Sequence, residues 1–119
     1  MKTVRVQNTT RGVVLAERAM HATGFFERGR GLLGRPEPQQ GGGLVIEPCN
    51  SVHMFFMGYA LDVVFADAQG VVTACVPELR PWRASPVFWG SRYAIELPVG
   101  TIARSGTEIG DRLLLGEPA

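Results

Sequence analysis

A chain of 119 residues with 45% hydrophobic side chains fits one domain that can bury its own core without a metal or a disulfide. Twelve basic and eleven acidic side chains leave a net charge of +1, which gives no long-range attraction towards nucleic acid or an anionic membrane. No run approaches the ~20 apolar residues of a membrane span, and "MKTVRVQNTT" lacks the apolar core of a signal peptide, so the chain as given reads as cytoplasmic.

In chain order, "KTVRVQN" alternates Val4 and Val6 with polar neighbours, as an edge or half-buried strand does. Gly12 to Ala19 reads as a second strand, with Leu15, Ala16 and Glu17 leaving a helix open. Thr23 is placed to cap a short helix running to about Leu33, stopped by Gly34 and weakened by Gly29 and Gly31. "RPEPQQGGG" is a loop, since two prolines and three successive glycines cannot hold regular structure.

Strands are then expected over 44–48, 51–56, 61–66 and 71–76, with "DAQG" (67–70) as a turn. "PELRPWRASPVFWGS" reads as an ordered loop pinned by its aromatics. Tyr93, Ile95 and Leu97 alternate against Arg92, Ala94 and Glu96 in another strand. One helical turn, a Gly110-Asp111 turn and a strand from Arg112 to Leu115 end the chain. The expected fold is mainly β (α+β): a small curled sheet or barrel of short, mostly antiparallel strands with one or two short helices, all in a single domain.

"EPCNSVHMFFMGYALDVVF" (47–65) is the most apolar stretch, yet it contains His53 and Asp62. Pairing 51–56 with 61–66 around Met57–Ala60 sets Phe56 opposite Leu61 and Phe55 opposite Asp62. Val52, Met54, Phe56, Leu61, Val63 and Phe65 then share an apolar face. His53 and Asp62 become diagonal neighbours on the other face, about 7–8 Å apart at the backbone. An imidazole beside a carboxylate is suited to proton transfer or to binding. The plainer alternative is that both satisfy the sheet.

Cys49 and His53 are four apart, roughly 13 Å along a strand, too far for a nucleophile–base pair unless the chain bends at Pro48-Cys49-Asn50. Cys49 and Cys75 have no CxxC spacing and no second nearby His, so they are expected to be reduced, partly buried thiols, and no metal is expected. Arg28, Arg30 and Arg35 lie among glycines in "ERGRGLLGR", which can receive an anion through guanidinium forks or simply form a solvated helix face. It is neither a Walker motif nor a dinucleotide fingerprint. Trp82 and Trp89, beside Arg80 and Arg83, either pin their loop or stack on a sugar, an aromatic ligand or an unpaired base.

"RGLLGR", "PCNSVHMFFMGYALDVVFADAQGVV", "AIELPVGT" and a closing "GDRL" together resemble the uncharacterised prokaryotic family called domain of unknown function 192, over about residues 10 to 115. The resemblance implies a compact β-rich domain and no established activity; many members carry an export signal or lipoprotein leader. Other members often have Trp within the "MFFM" block and Lys-Asn-Thr after it, where this chain has Met57-Gly58-Tyr59. Among the residues the resemblance highlights, glycines such as Gly31, Gly100 and Gly110 suit turns. Arg28, His53, Asp62 and Glu96 are not explained by turn geometry.

The expected function is a non-enzymatic binding module for a small polar or anionic ligand, held by Arg28, Arg35, His53, Asp62 and Glu96, with no cofactor. One alternative is a hydrolase or isomerase using His53 as general base, oriented by Asp62. Another is a protein-interaction module presenting Trp82, Trp89 and Phe88. Oligomeric state is left open.

Overall fold

In the computed structural model, which describes residues 1–118, seven strands form one curled sheet. They are β1 (Lys2–Asn8), β2 (Val13–Ala22), β3 (Leu44–Ile46), β4 (Leu61–Ala66), β5 (Val72–Leu79), β6 (Tyr93–Leu97) and β7 (Leu113–Gly116). Two short helices, α1 (Phe25–Arg30) and α2 (Thr101–Ser105), complete the elements. The spatial order is β5-β4-β6-β3-β2-β1-β7, and among the described strands β2 with β3 is the one parallel pair. This is the mostly antiparallel, β-rich curled sheet that the strand and turn pattern predicts.

Curling brings the outer strands together at one corner, where Val72 donates its N–H to the Asp111 carbonyl at 2.7 Å and Leu113 donates to Gly70 at 2.7 Å. Gly70, at φ 85, has to be glycine there, because a Cβ would fall against the Leu113 carbonyl oxygen.

Successive side chains of β4 feed two different apolar clusters. Val63 and Phe65 pack with Met54 and Leu61, while Val64 and Ala66 pack with Leu15, Ile95 and Leu97. Both faces of β4 and β6 are therefore covered, and every residue of both strands is buried. The alternation around Tyr93, Ile95 and Leu97 does not mark a wet face; it puts Glu96 under cover.

Several boundaries move. β2 extends to Ala22 because Met20, His21 and Ala22 gain β3 as a partner. That pushes the helix start from Thr23 to Gly24, where the Glu27 carboxylate accepts the N–H groups of Gly24 (3.2 Å) and Thr23 (3.4 Å). α1 stops at Arg30, not Leu33, since Gly31 takes φ 55 and ψ −130. β5 runs on through Pro77 to Leu79, which is compatible with its place at the sheet edge.

The predicted hairpin of 51–56 with 61–66 does not form. β4 is already flanked by β5 and β6, so neither of its edges is free. Residues 51–56 instead run irregularly against 82–85: Met54 donates to Arg83 at 2.7 Å, Trp82 to Met54 at 2.8 Å and Ser85 to Val52 at 2.8 Å. Val52 and Met54 still reach the core beside Leu61, Val63 and Phe65, as the alternation requires. Phe56, expected with them, is 73% exposed.

Candidate functional site

Helix α1 and the turn after it form one wall of a cleft of about 170 Å³. The irregular segment from Cys49 to Met57 forms the other wall, and β6 supplies the floor. Six polar side chains line it: Arg28 and Arg30 from α1, Cys49, Ser51 and His53 from the irregular segment, and Glu96 from β6. Tyr59 helps fix the two walls, its hydroxyl reaching the carbonyls of Arg35 at 3.1 Å and Leu32 at 3.4 Å.

Glu96 is the most unusual of these groups. It is only 5% exposed, and among the described residues neither carboxylate oxygen has a hydrogen-bond or ion-pair partner. Burial alone pushes its carboxyl up to about 7, because the charged form loses its hydration without gaining a donor. Arg28, half-buried on the facing wall, has an Nε that is buried without a partner. A buried polar group left unmatched costs of the order of 1–3 kcal/mol, and Glu96 and Arg28, of opposite charge, line this one recess. Gly31 keeps the opening clear: a Cβ there would lie 3.7 Å from Glu96 Oε1.

Cys49 and His53 do come to the same cleft, because the chain bends where a straight strand would have kept them apart. They still make no catalytic dyad. The thiol donates to the Ser51 carbonyl at 3.1 Å, and burial raises its pKa, the reverse of an activated nucleophile. His53 is exposed, with its ring stacked on Phe55 at 4.6 Å and Nδ1 facing the Phe55 N–H at 3.4 Å.

Asp62 lies elsewhere. Its carboxylate accepts the backbone N–H groups of Ile102 (2.8 Å), Glu78 (2.9 Å) and Gly100 (3.2 Å). The side chain is buried at 1% exposure and ties β5 and the start of α2 to β4. The predicted His53–Asp62 pair is thus overturned, since it depended on a hairpin that β5 and β6 displace. Arg35 faces a separate shallow recess beside Arg18, Pro36 and Gly43, with Nε near the Gly31 carbonyl at 3.4 Å.

The aromatic loop also differs from expectation. Trp82 and Trp89 are 59% and 84% exposed, so they do not pin it; Phe88 does, against Phe65 at 4.9 Å. Trp82 instead joins a surface group with Phe55 (6.2 Å, near-parallel) and Phe56 (4.8 Å, edge-on), adjoining the cleft through Phe55. Alternation alone assigned Phe56 to the core, and only the φ of 65 that the fold imposes there turns it out. Cys49 was the other group under-read, because its route to the cleft depends on the bend.

No group of three or more His, Cys, Asp or Glu side chains able to hold a metal occurs among the described residues. No described helix is long and apolar enough to cross a membrane.

The profile of the family DUF192, described as "Uncharacterized ACR", matches residues 6–115. A UPF0127 protein of Thermococcus sibiricus is 36% identical over 110 residues, covering 89% of this chain and 71% of that protein. A UPF0127 protein of Pyrococcus abyssi is 38% identical over 63 residues, 53% of each chain. Among solved structures, a protein of unknown function from Novosphingobium aromaticivorans superposes with a TM-score of 0.80 at 24% identity, covering 94% of this chain and 83% of that one. A Sinorhizobium meliloti protein, described as a candidate transcription regulator, gives 0.76 at 24% identity over 96% and 92% of the two chains. At that identity the two structures speak for the fold alone.

Proposed function

The chain belongs to the DUF192 family, uncharacterised by its own description, and from that premise we propose that it is a non-enzymatic binding domain for a small polar or anionic ligand. The ligand sits in the cleft between α1 and the Cys49–Met57 segment. Glu96 accepts a hydrogen bond from it on the floor, Arg28 donates to an acceptor or anionic group, and His53 offers a further polar contact at the rim.

One observation carries this reading: Glu96, buried and with no hydrogen-bond partner among the described residues, lines the same small recess as Arg28, whose Nε is also unpartnered. A fold has no stability reason to keep both unmatched, whereas a ligand with a donor and an acceptor completes both. Asp62 and Arg35 take no part, the first because its acceptors are occupied and the second because it faces another recess.

A thermal-shift screen of sugars, hydroxy acids, amino acids and inorganic phosphate tests the reading. A hit is expected to raise the midpoint for the unmodified chain and to lose that effect in Glu96→Gln and Arg28→Ala. Hits indifferent to both substitutions would sink it.

A second reading is favoured by the carboxyl held at about 7, suited to giving and taking a proton near neutrality. In that case the protein is an isomerase or hydrolase, with Glu96 and not His53 as the base. Proton exchange from a bound ligand into deuterated solvent, lost in Glu96→Gln, would select it.

A further inference from the structure

Three large aromatic side chains stand in solvent next to the cleft: Phe55 at 43%, Phe56 at 73% and Trp82 at 59% exposure. They are not loosely scattered. Trp82 packs near both phenylalanine rings, and His53 stacks on Phe55, so the group runs continuously from the cleft's rim outwards. Two of the three are held at positive φ, Phe56 at 65 and Trp82 at 67. Bulky residues rarely adopt that conformation, and it persists only where the surroundings enforce it. Here the enforcement is visible: Trp82 donates to Met54 at 2.8 Å and Met57 to Met54 at 3.2 Å, fixing both turns. The backbone thus holds outwards the Phe56 ring, which sequence alternation would have buried.

Next to this platform lies a recess of about 170 Å³, smaller than the ~300 Å³ at which pockets for whole drug-sized ligands begin. It accepts one ring or head group, and the remainder of a larger ligand has to lie across the rim. What the recess needs is a donor for Glu96 and an acceptor for Arg28, close together on one molecule. A polyphosphate suits it poorly, because its charge meets a buried carboxylate on the floor. Neighbouring hydroxyl groups on a pyranose supply both kinds of bond without bringing net charge, and the ring's C–H face is apolar enough to lie on an aromatic surface.

We infer that the cleft and its aromatic platform form a saccharide site. One pyranose places its hydroxyls between Glu96 and Arg28, and its apolar face or the next sugar rests on Phe55, Phe56 and Trp82. The inference rests on the cleft reading above and adds the ligand's class and a second contact surface.

The test is saturation-transfer NMR on the full chain, with Glu96→Gln, Trp82→Ala and Phe56→Ser variants. The probes are neutral mono- and disaccharides, uronic acids, amino acids, hydroxy acids and inorganic phosphate, all at millimolar concentration. Because Trp82 and Phe56 are exposed, their removal is expected to leave the circular dichroism and melting midpoint nearly unchanged. Trp82→Phe serves as the conservative control. The expected result is transfer to ring C–H protons of one or more saccharides. The signal falls at least tenfold in Glu96→Gln and severalfold in Trp82→Ala and Phe56→Ser, and recovers in Trp82→Phe. If a non-sugar binds and depends on Glu96 but not on Trp82 or Phe56, the saccharide assignment is overturned and the cleft reading stands. If no probe binds in a Glu96-dependent way, both are overturned.

Discussion

Gly31 and Glu96 face each other across the floor of the cleft, with 3.7 Å between Glu96 Oε1 and the point where a Cβ on Gly31 would project. The helix therefore ends on a residue that both turns the chain and leaves the carboxylate uncovered. At φ 55 and ψ −130 an alanine pays for a conformation that glycine adopts freely. Gly31→Ala is expected to lower stability by about 1–2 kcal/mol and to narrow the recess. Denaturant unfolding measures the first effect. Loss of a ligand-induced melting shift at equal fold content measures the second.

The Glu96 carboxyl lies at about 7 in the folded protein, against 4.5 for the free group. Between those values the folded chain holds a proton that the unfolded chain has released. Stability is thus fully present below about pH 4.5 and is lost as pH rises through about 7. The loss corresponds to about 3 kcal/mol if nothing else compensates. Glu96→Gln is expected to remove this fall, leaving the variant similar to the parent at pH 5 and more stable at pH 8. Melting curves at the two pH values check it; a parallel decline in parent and variant would count against a raised Glu96.

Asp62 answers three backbone donors, so its replacement leaves them buried without an acceptor. Asp62→Ala is expected to cost about 3–5 kcal/mol, at the upper end of single substitutions. Its effect falls on β5 and the start of α2. Hydrogen exchange should show early opening at Glu78 and Ile102, and ligand affinity should change little in whatever fraction stays folded.

His53 gives the opposite pattern. Exposed and touching mainly Phe55, it contributes little to the fold. His53→Ala is expected to change stability by no more than about 0.5 kcal/mol while weakening any ligand seated at the rim. Chemical unfolding and a binding isotherm on the same preparation separate the two effects.

Local chemistry made much of this fold readable. Period-two alternation gave the strands, and Asp67 through Gly70 gave a turn whose side chain and backbone close it as expected, Val71 reaching Asp67 Oδ1 at 2.9 Å. What alternation does not carry is the choice of partner. β4 has three apolar neighbours in sequence, and only the whole sheet decides that β5 and β6 flank it while 51–56 is excluded. Asp62 was misread for that reason: parity placed it on a wet face, yet β4 has none. Glu96 was similarly hidden, since its own strand reads as half-exposed and only the family resemblance singled it out. Arg28 was legible because a cation among glycines at a helix end has few structural duties. Phe56 and Trp82 were opaque because positive φ at an aromatic is imposed from outside the segment.

The strand made of Leu113–Gly116 lies against β1, so two strands far apart in sequence share one ladder. During synthesis β1 has to wait, its outer row of amides unanswered, until β7 has cleared the ribosome. A nascent or trimmed chain lacking β7 offers that row to any neighbour with a free β-edge. Such intermediates are expected to associate with one another more readily than the finished protein, and co-expressed holdase chaperones should relieve it.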